Sequence, residues 1–124
     1  MHGSGLKILL VDDSNIVLQR LQPMLHEALQ IEKMVIVFDA DDAILTVQNF
    51  QPHIVLLDIN LPRKNGLEVL KYIKLNQQHI KVVMVTSQPA DQYRDLCMDL
   101  GADSFVDKSI DFEMIPDIIK QLTN

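Results

Sequence analysis

Two apolar runs of this chain end in carboxylates. Leu6–Val11 ends in Asp12 and Asp13, and Ile54–Leu57 ends in Asp58. In a parallel sheet both runs finish on the same edge, and three negative charges crowd together. Such a cluster is costly unless a cation, a proton or a phosphoryl group uses it. A third run, Lys81–Val85, ends in Thr86, and a fourth, Phe105–Val106, is followed by Asp107 and Lys108. An acid pocket, a hydroxyl and an ammonium thus fall at successive strand ends.

These groups suit phosphoryl chemistry. Asp12, Asp13 and Asp58 are hard oxygen ligands that fit Mg²⁺. A phosphate-bearing substrate would fill another position of the metal. An ionised Asp58 can attack phosphorus and become an aspartyl phosphate. The charge that then develops on the equatorial oxygens is met by Mg²⁺ and the Lys108 ammonium. Thr86 can donate its hydroxyl to one phosphoryl oxygen. Each residue alone has a plainer account. Asp58 could sit in a solvated turn, Asp12 and Asp13 could cap a helix opening at Ser14, Thr86 could be an ordinary strand residue, and Lys108 a loop charge. The coincidence at four strand ends favours the shared site.

Five helix-like stretches alternate with five strand-like runs. The strands are expected over Lys7–Val11, Met34–Phe38, Ile54–Leu57, Lys81–Val85 and Ser104–Val106. Several are apolar throughout, as strands covered on both faces must be. The first helix is expected from Ser14 to about Leu29, with Val17, Leu21, Leu25 and Leu29 as its stripe and a kink at Pro23. The second covers Asp42–Asn49. The third covers Gly66–Leu75, with Leu70 and Ile73 facing the core. The fourth covers Asp91–Leu100 and stops at Gly101. The fifth starts near Asp111 as N-cap, buries Ile115, Ile118, Ile119 and Leu122, and tolerates Pro116 only near its start. This alternation means βαβ units, right-handed crossovers and a parallel sheet with helices on both sides. Ligands of such sheets bind at the carboxyl ends of the strands, where the acids, Thr86 and Lys108 lie.

The bulk properties exclude other classes. With 124 residues the chain forms one domain with a sizeable core. Its net charge of -6 disfavours direct nucleic-acid binding. The single cysteine, Cys97, cannot form an internal bridge and reads as a buried small hydrophobe. No apolar stretch reaches a membrane span and no signal-peptide pattern is present, so the cytoplasm is the expected location. Residues 1–5 read as a flexible leader or cloning remnant, and 6–124 as the domain. His2, His26, His53 and His79 lack metal-site spacing. The glycines form no phosphate-cradling loop.

Taken together, Leu9-Leu10-Val11-Asp12-Asp13-Ser14, Val55-Leu56-Leu57-Asp58-Ile59-Asn60-Leu61-Pro62 with Gly66-Leu67-Glu68-Val69-Leu70, Val82-Val83-Met84-Val85-Thr86-Ser87, and Gly101-Ala102-Asp103-Ser104-Phe105-Val106-Asp107-Lys108 resemble a response-regulator receiver domain of two-component phosphorelays. The resemblance covers nearly all of residues 6–123. It implies an α/β, flavodoxin-like, doubly wound (βα)5 fold whose five-stranded parallel sheet has order 2-1-3-4-5. It implies that Asp58 takes a phosphoryl group from a phosphohistidine on a sensor histidine kinase or a histidine phosphotransfer protein. Asp12 and Asp13 match the family's metal-binding acids, and Asn60 the residue whose main-chain carbonyl completes the Mg²⁺ shell. Thr86 matches the switch hydroxyl, Phe105 the rotating aromatic, and Lys108 the lysine on the phosphoryl oxygen. The face of the fourth helix, fifth strand and fifth helix, including Gln92 and Leu96, is then the expected contact for an effector or a homodimer.

Two positions depart from the family pattern. Relatives usually carry a cis proline after the lysine, and here Ser109 follows Lys108. A trans bond is expected, because a cis bond before a non-proline costs roughly 2.5–4 kcal/mol. Ser109 also offers an N–H and a hydroxyl that could cap the turn to Asp111. Asp41 stands where many relatives have glycine, and an aspartate can satisfy such a turn with its own side chain.

The expected function is therefore a phosphorylation-controlled signalling switch. It catalyses its own phosphorylation and slow dephosphorylation without turning over an external substrate. A receiver-like interaction module that works without phosphorylation would not need all five chemical positions. A small aspartyl-nucleophile phosphatase would need an acid near Asp58, and Asn60 is not one. A flavin carrier would need stacking aromatics in strand-end loops, and Tyr72 and Tyr93 lie in helical patterns.

Overall fold

Leu6, Ile8, Leu9, Leu10 and Val11 are all buried, so the strand that contains them is covered on both faces. A computed structural model describes residues 5–87 and 90–124. Of the leader expected over 1–5, positions 1–4 lie outside the described residues, and Gly5 is buried. The strands are β1 (Leu6–Val11), β2 (Ile31–Val37), β3 (Ile54–Leu57), β4 (Lys81–Thr86) and β5 (Ser104–Asp107). The helices are α1 (Asn15–Ala28), α2 (Ala40–Phe50), α3 (Gly66–Asn76), α4 (Ala90–Asp99) and α5 (Ile115–Thr123). All pairings are parallel and the order is β2-β1-β3-β4-β5, the order that the resemblance implies.

Alternate residues of each central strand feed two cores. Leu9, Val11, Val55, Leu57, Met84 and Phe105 pack with α2, α3 and α4. Ile8, Leu10, Ile54, Leu56, Val85 and Val106 pack with α1 and α5. Leu70 and Ile73 of α3 are buried as expected. On α1 the buried residues are Leu18, Leu21 and Leu25, with Val17 and Leu29 only partly covered. Pro23 does not interrupt α1 and lies on its exposed side. No helix among the described residues is long and apolar enough to cross a membrane.

Helix ends follow side-chain chemistry. Ser14 caps α1 through Val17 N–H, and Asn65 caps α3 through Leu67 N–H. The turn into α2 is capped by Asp39, which accepts from Asp42 N–H at 2.8 Å. Asp41 therefore does not satisfy that turn. It sits in the first turn of α2 and pairs with Lys64 at 2.6 Å. Gly101 stops α4 at φ 101°, and the next N–H, of Ala102, bonds back to the Cys97 carbonyl at 3.0 Å.

The last segment differs from the expected single helix. Asp111 makes no side-chain cap, and a short 3₁₀ turn over Phe112–Met114 precedes α5. Pro116 consequently falls in the first turn of α5, where its missing N–H costs nothing. At the opposite end of the sheet, Lys74 Nζ donates to the Ile80 carbonyl and to Asp103 Oδ2, both at 2.8 Å. Asp103 Oδ2 also accepts from Val82 N–H at 2.8 Å, so α3 is tied to the starts of β4 and β5.

Candidate functional site

β1 and β3 are neighbours with Val11 opposite Leu57, so the residues that follow them emerge side by side. Asp58 N–H donates to the Val11 carbonyl at 2.9 Å, and Asp12 N–H to the Val37 carbonyl at 3.2 Å. Both strand ends are thereby fixed by main-chain bonds before any side chain acts. Asp12, Asp13 and Asp58 each offer a carboxylate oxygen within 4.8 Å of the others. Asp12 and Asp58 are buried, and Asp13 is exposed at the mouth.

Each buried acid uses one oxygen locally and one on Lys108. Asp12 Oδ1 accepts from Ser14 N–H at 2.8 Å, and Asp58 Oδ1 from Asn60 N–H at 3.1 Å. Lys108 Nζ stands 2.8 Å from Asp12 Oδ2 and 3.1 Å from Asp58 Oδ2. The lysine is aimed by its own backbone, since Lys108 N–H donates to the Thr86 carbonyl at 2.9 Å. Thr86 itself is fully buried at the end of β4, opposite Asp107. An open groove of about 540 Å³ lies over these groups, lined by Asp13, Ser14, Asp58, Asn60, Ser87 and Lys108 among others. A groove of about 620 Å³ at the other end of the sheet is larger, but no Asp, Glu, His or Cys side chain lines it.

The electrostatics follow from two buried acids sharing one ammonium. Burial pushes the Asp58 carboxyl above its ordinary value; Lys108 pulls it down and Asp12 adds to the rise. Burial alone would lower the Lys108 ammonium. The hydrogen bond it donates to Asp12 and the charges of Asp58 and Asp12 outweigh it, and Lys108 is held above its usual range. The lysine is firmly charged, and the pocket still carries excess negative charge. Oxygen donors in this number, with uncompensated charge, fit a hard divalent cation.

The fold brings together Asp12, Asp13, Asp58, Asn60 and Lys108, with Thr86 joined to Lys108 through its main-chain carbonyl. Phe105 lies two residues before Asp107 on β5, buried among the α4-side core, with the Arg94 guanidinium 4.9 Å from its ring centroid. No cis peptide occurs among the described residues, so the Lys108–Ser109 bond is trans as expected. Ser109 braces the turn leading to Asp111 from its start. Its N–H and Oγ both donate back to Asp107 Oδ1, at 2.9 and 2.6 Å. Ile110 and Asp111 N–H groups close on the Asp107 carbonyl, so Asp107 organises the turn.

Sequence reasoning passes over the supports of the β3–α3 loop. Arg63 pairs with Asp39 at 3.0 Å and Lys64 with Asp41 at 2.6 Å, tying that loop to the start of α2. Gly66 N–H donates to the Ile59 carbonyl at 2.6 Å, closing the loop against the strand end that carries Asp58. The only local signal was a basic pair facing an acidic helix start.

Comparison with known proteins agrees with this geometry. The chain is 34% identical over 104 residues to the transcriptional regulatory protein CpxR of Escherichia coli, covering 82% of this chain and 42% of that protein. It is 31% identical over 120 residues to the response regulator GacA of Pseudomonas aeruginosa, covering 94% of this chain and 55% of that one. The chain thus spans about half the length of these relatives. The beryllofluoride-activated receiver domain of Klebsiella pneumoniae RstA superposes with a TM-score of 0.85 at 24% identity, covering 95% of this chain and 98% of that domain. The phosphorylated cyanobacterial phytochrome response regulator RcpA superposes with a TM-score of 0.78 at 27% identity, over 94% and 90% of the two chains. The family model of the response regulator receiver domain matches residues 8–120, and with the five-stranded fold and the acid pocket in place, the chain belongs to the response regulator receiver domain family.

Proposed function

We propose that Asp58 is the phosphoacceptor of a signalling switch and that Mg²⁺ is its cofactor. The observation that carries this reading is the shared lysine: buried Asp12 and Asp58 converge on Lys108, with Asp13 at the mouth of the same pocket. Asp12, Asp13 and Asp58 would hold the metal with their carboxylates and Asn60 with its main-chain carbonyl. When bound, Mg²⁺ neutralises charge on the phosphoryl oxygens and orients the transferring group. Asp58 attacks phosphorus, the bond from phosphorus to the donor's imidazole nitrogen breaks, and the imidazole leaves. Lys108, displaced from its resting pair, steadies a phosphoryl oxygen with its ammonium.

The donor is a sensor histidine kinase or a histidine phosphotransfer protein. After transfer, Thr86 closes on the phosphoryl group and Phe105 responds, altering the α4–β5–α5 face for an effector or a second copy. Likeness to CpxR, whose name is that of a transcriptional regulatory protein, supports action in the cytoplasm. Incubation with a small phosphodonor and Mg²⁺, followed by intact mass, tests the assignment. One phosphoryl increment is expected for the unaltered chain. The same increment in Asp58→Ala, or under excess chelator, would overturn it.

A further inference from the structure

Helix α4 buries few of its described side chains. Among its described side chains only Cys97 is fully buried, and Tyr93 is half-buried. Of its other described apolar residues, Leu96 and Met98 are 44% and 45% exposed. Yet this helix covers Phe105, which is 6% exposed. Arg94 lies over this ring. Its guanidinium carbon lies 4.9 Å from the Phe105 ring centroid, within the range of cation–π attraction. Among the described residues Arg94 makes no ion pair. Its charge also reaches Asp107, two residues further along the same face of β5.

We propose that Arg94 is a positioning residue: stacked on Phe105, it holds the ring buried and α4 closed on β5, and so sets the resting balance of the switch. This rests on the switch reading given above. A planar, weakly hydrated guanidinium can lie flat on a ring and still keep its donors in water. It can therefore shield Phe105 from solvent where α4 supplies little apolar cover. Loss of Arg94 removes this cover from the ring and one contact between α4 and the strand. The same residue types meet on the other face of the sheet, where Arg20 lies 4.3 Å from the ring centroid of buried Phe112. Phe112 sits in the 3₁₀ turn before α5 and outside the switch, so that pair serves as an internal control.

Fluorine NMR of the chain labelled with fluorophenylalanine gives the test, with the four phenylalanine signals assigned by single Phe→Leu variants. In the unphosphorylated protein, Arg94→Ala should move or split the Phe105 signal and leave Phe112 unchanged. The ratio of ring populations should change roughly two- to fivefold, as loss of one cation–π contact allows. Arg94→Lys, which keeps the charge, should restore part of that change, and Arg20→Ala should move Phe112 and not Phe105. A Phe105 signal unchanged in Arg94→Ala would overturn the proposal, as would equal movement of the Phe105 and Phe112 signals. Beryllofluoride with Mg²⁺, added to the unaltered chain, reports separately on the phosphoacceptor reading. No movement of amide signals around Asp58 would overturn that reading and leave the Arg94 result standing.

Discussion

A β-carbon on Gly66 would fall inside van der Waals contact of the Asp58 carbonyl oxygen. The first residue of α3 is thus pressed against the main chain of the residue at the centre of the site. The three nearest atoms all belong to the main chain of Asp58 and Ile59, so the crowding cannot be relieved by a rotamer change.

Gly66→Ala should therefore destabilise the fold by about 1–3 kcal/mol, the usual cost of forced overpacking. It should also slow phosphorylation by a small donor, because the strand end carrying Asp58 must shift. Denaturant titration and intact-mass time courses check both effects. Wild-type midpoint and rate together would show that the loop yields without moving Asp58.

The pH dependence of Asp58 has a definite sign. Its folded pKa is raised, chiefly by burial, so the folded chain holds the proton more tightly than the unfolded one. That contribution is complete below about pH 4 and is lost as pH rises through the folded value. In metal-free buffer, Asp58→Asn should gain stability relative to wild type as pH rises from about 4 to about 7. Midpoints across that range decide it. Wild type gaining on the variant would mean that Lys108 more than compensates burial.

Asp13 shares the pocket mouth with two acids but, unlike them, has no bond to Lys108 among the described contacts. Asp13→Ala should weaken Mg²⁺ binding and stabilise the metal-free fold by ~0.5 kcal/mol, as relief of an exposed like-charge contact allows. Titration with Mg²⁺ followed by amide shifts, and denaturation under chelator, measure the two sides. A lower metal-free midpoint would count against repulsion in the resting pocket.

Ser109 holds the Asp107 carboxyl below the usual carboxylate range, through its hydroxyl first and its N–H second. A depressed folded pKa gives stability that is present above the unfolded pKa and lost as pH falls through the folded value. Ser109→Ala should lower the midpoint at neutral pH, and its penalty should shrink below about pH 4. Ser109→Pro removes both donors and should cost more. A penalty independent of pH would show that Ser109 acts through packing alone.

The strands and the gathering of Asp12, Asp13, Asp58 and Lys108 at one sheet edge were legible because they rest on local signals, whereas the sheet order came from the family resemblance. Continuous apolar runs mark covered strands, and the residue after each run lies at the sheet edge. β2 was placed three residues late, at Met34 rather than Ile31, because Glu32 and Lys33 break the apolar run. Those charges are exposed on an edge strand, where one side needs no cover. The Arg63–Asp39, Lys64–Asp41 and Arg94–Phe105 contacts were not legible. Each joins separate elements, and long side chains on helices and loops have several partners open to them until the elements dock. That Ser109 would brace the turn leading to Asp111 was legible from its N–H and hydroxyl; that both donate to Asp107 was not, because only the path of the chain after Lys108 sets the acceptor.

Lys108 stands in the last strand-end loop, and its partner Asp58 precedes it by 50 residues. A chain made from its N-terminus displays the proposed acceptor well before the ammonium beside it. Chemistry that needs both groups starts only when β5 has been added to the edge of the sheet. A chain cut short of Lys108 keeps the proposed acceptor and lacks that ammonium.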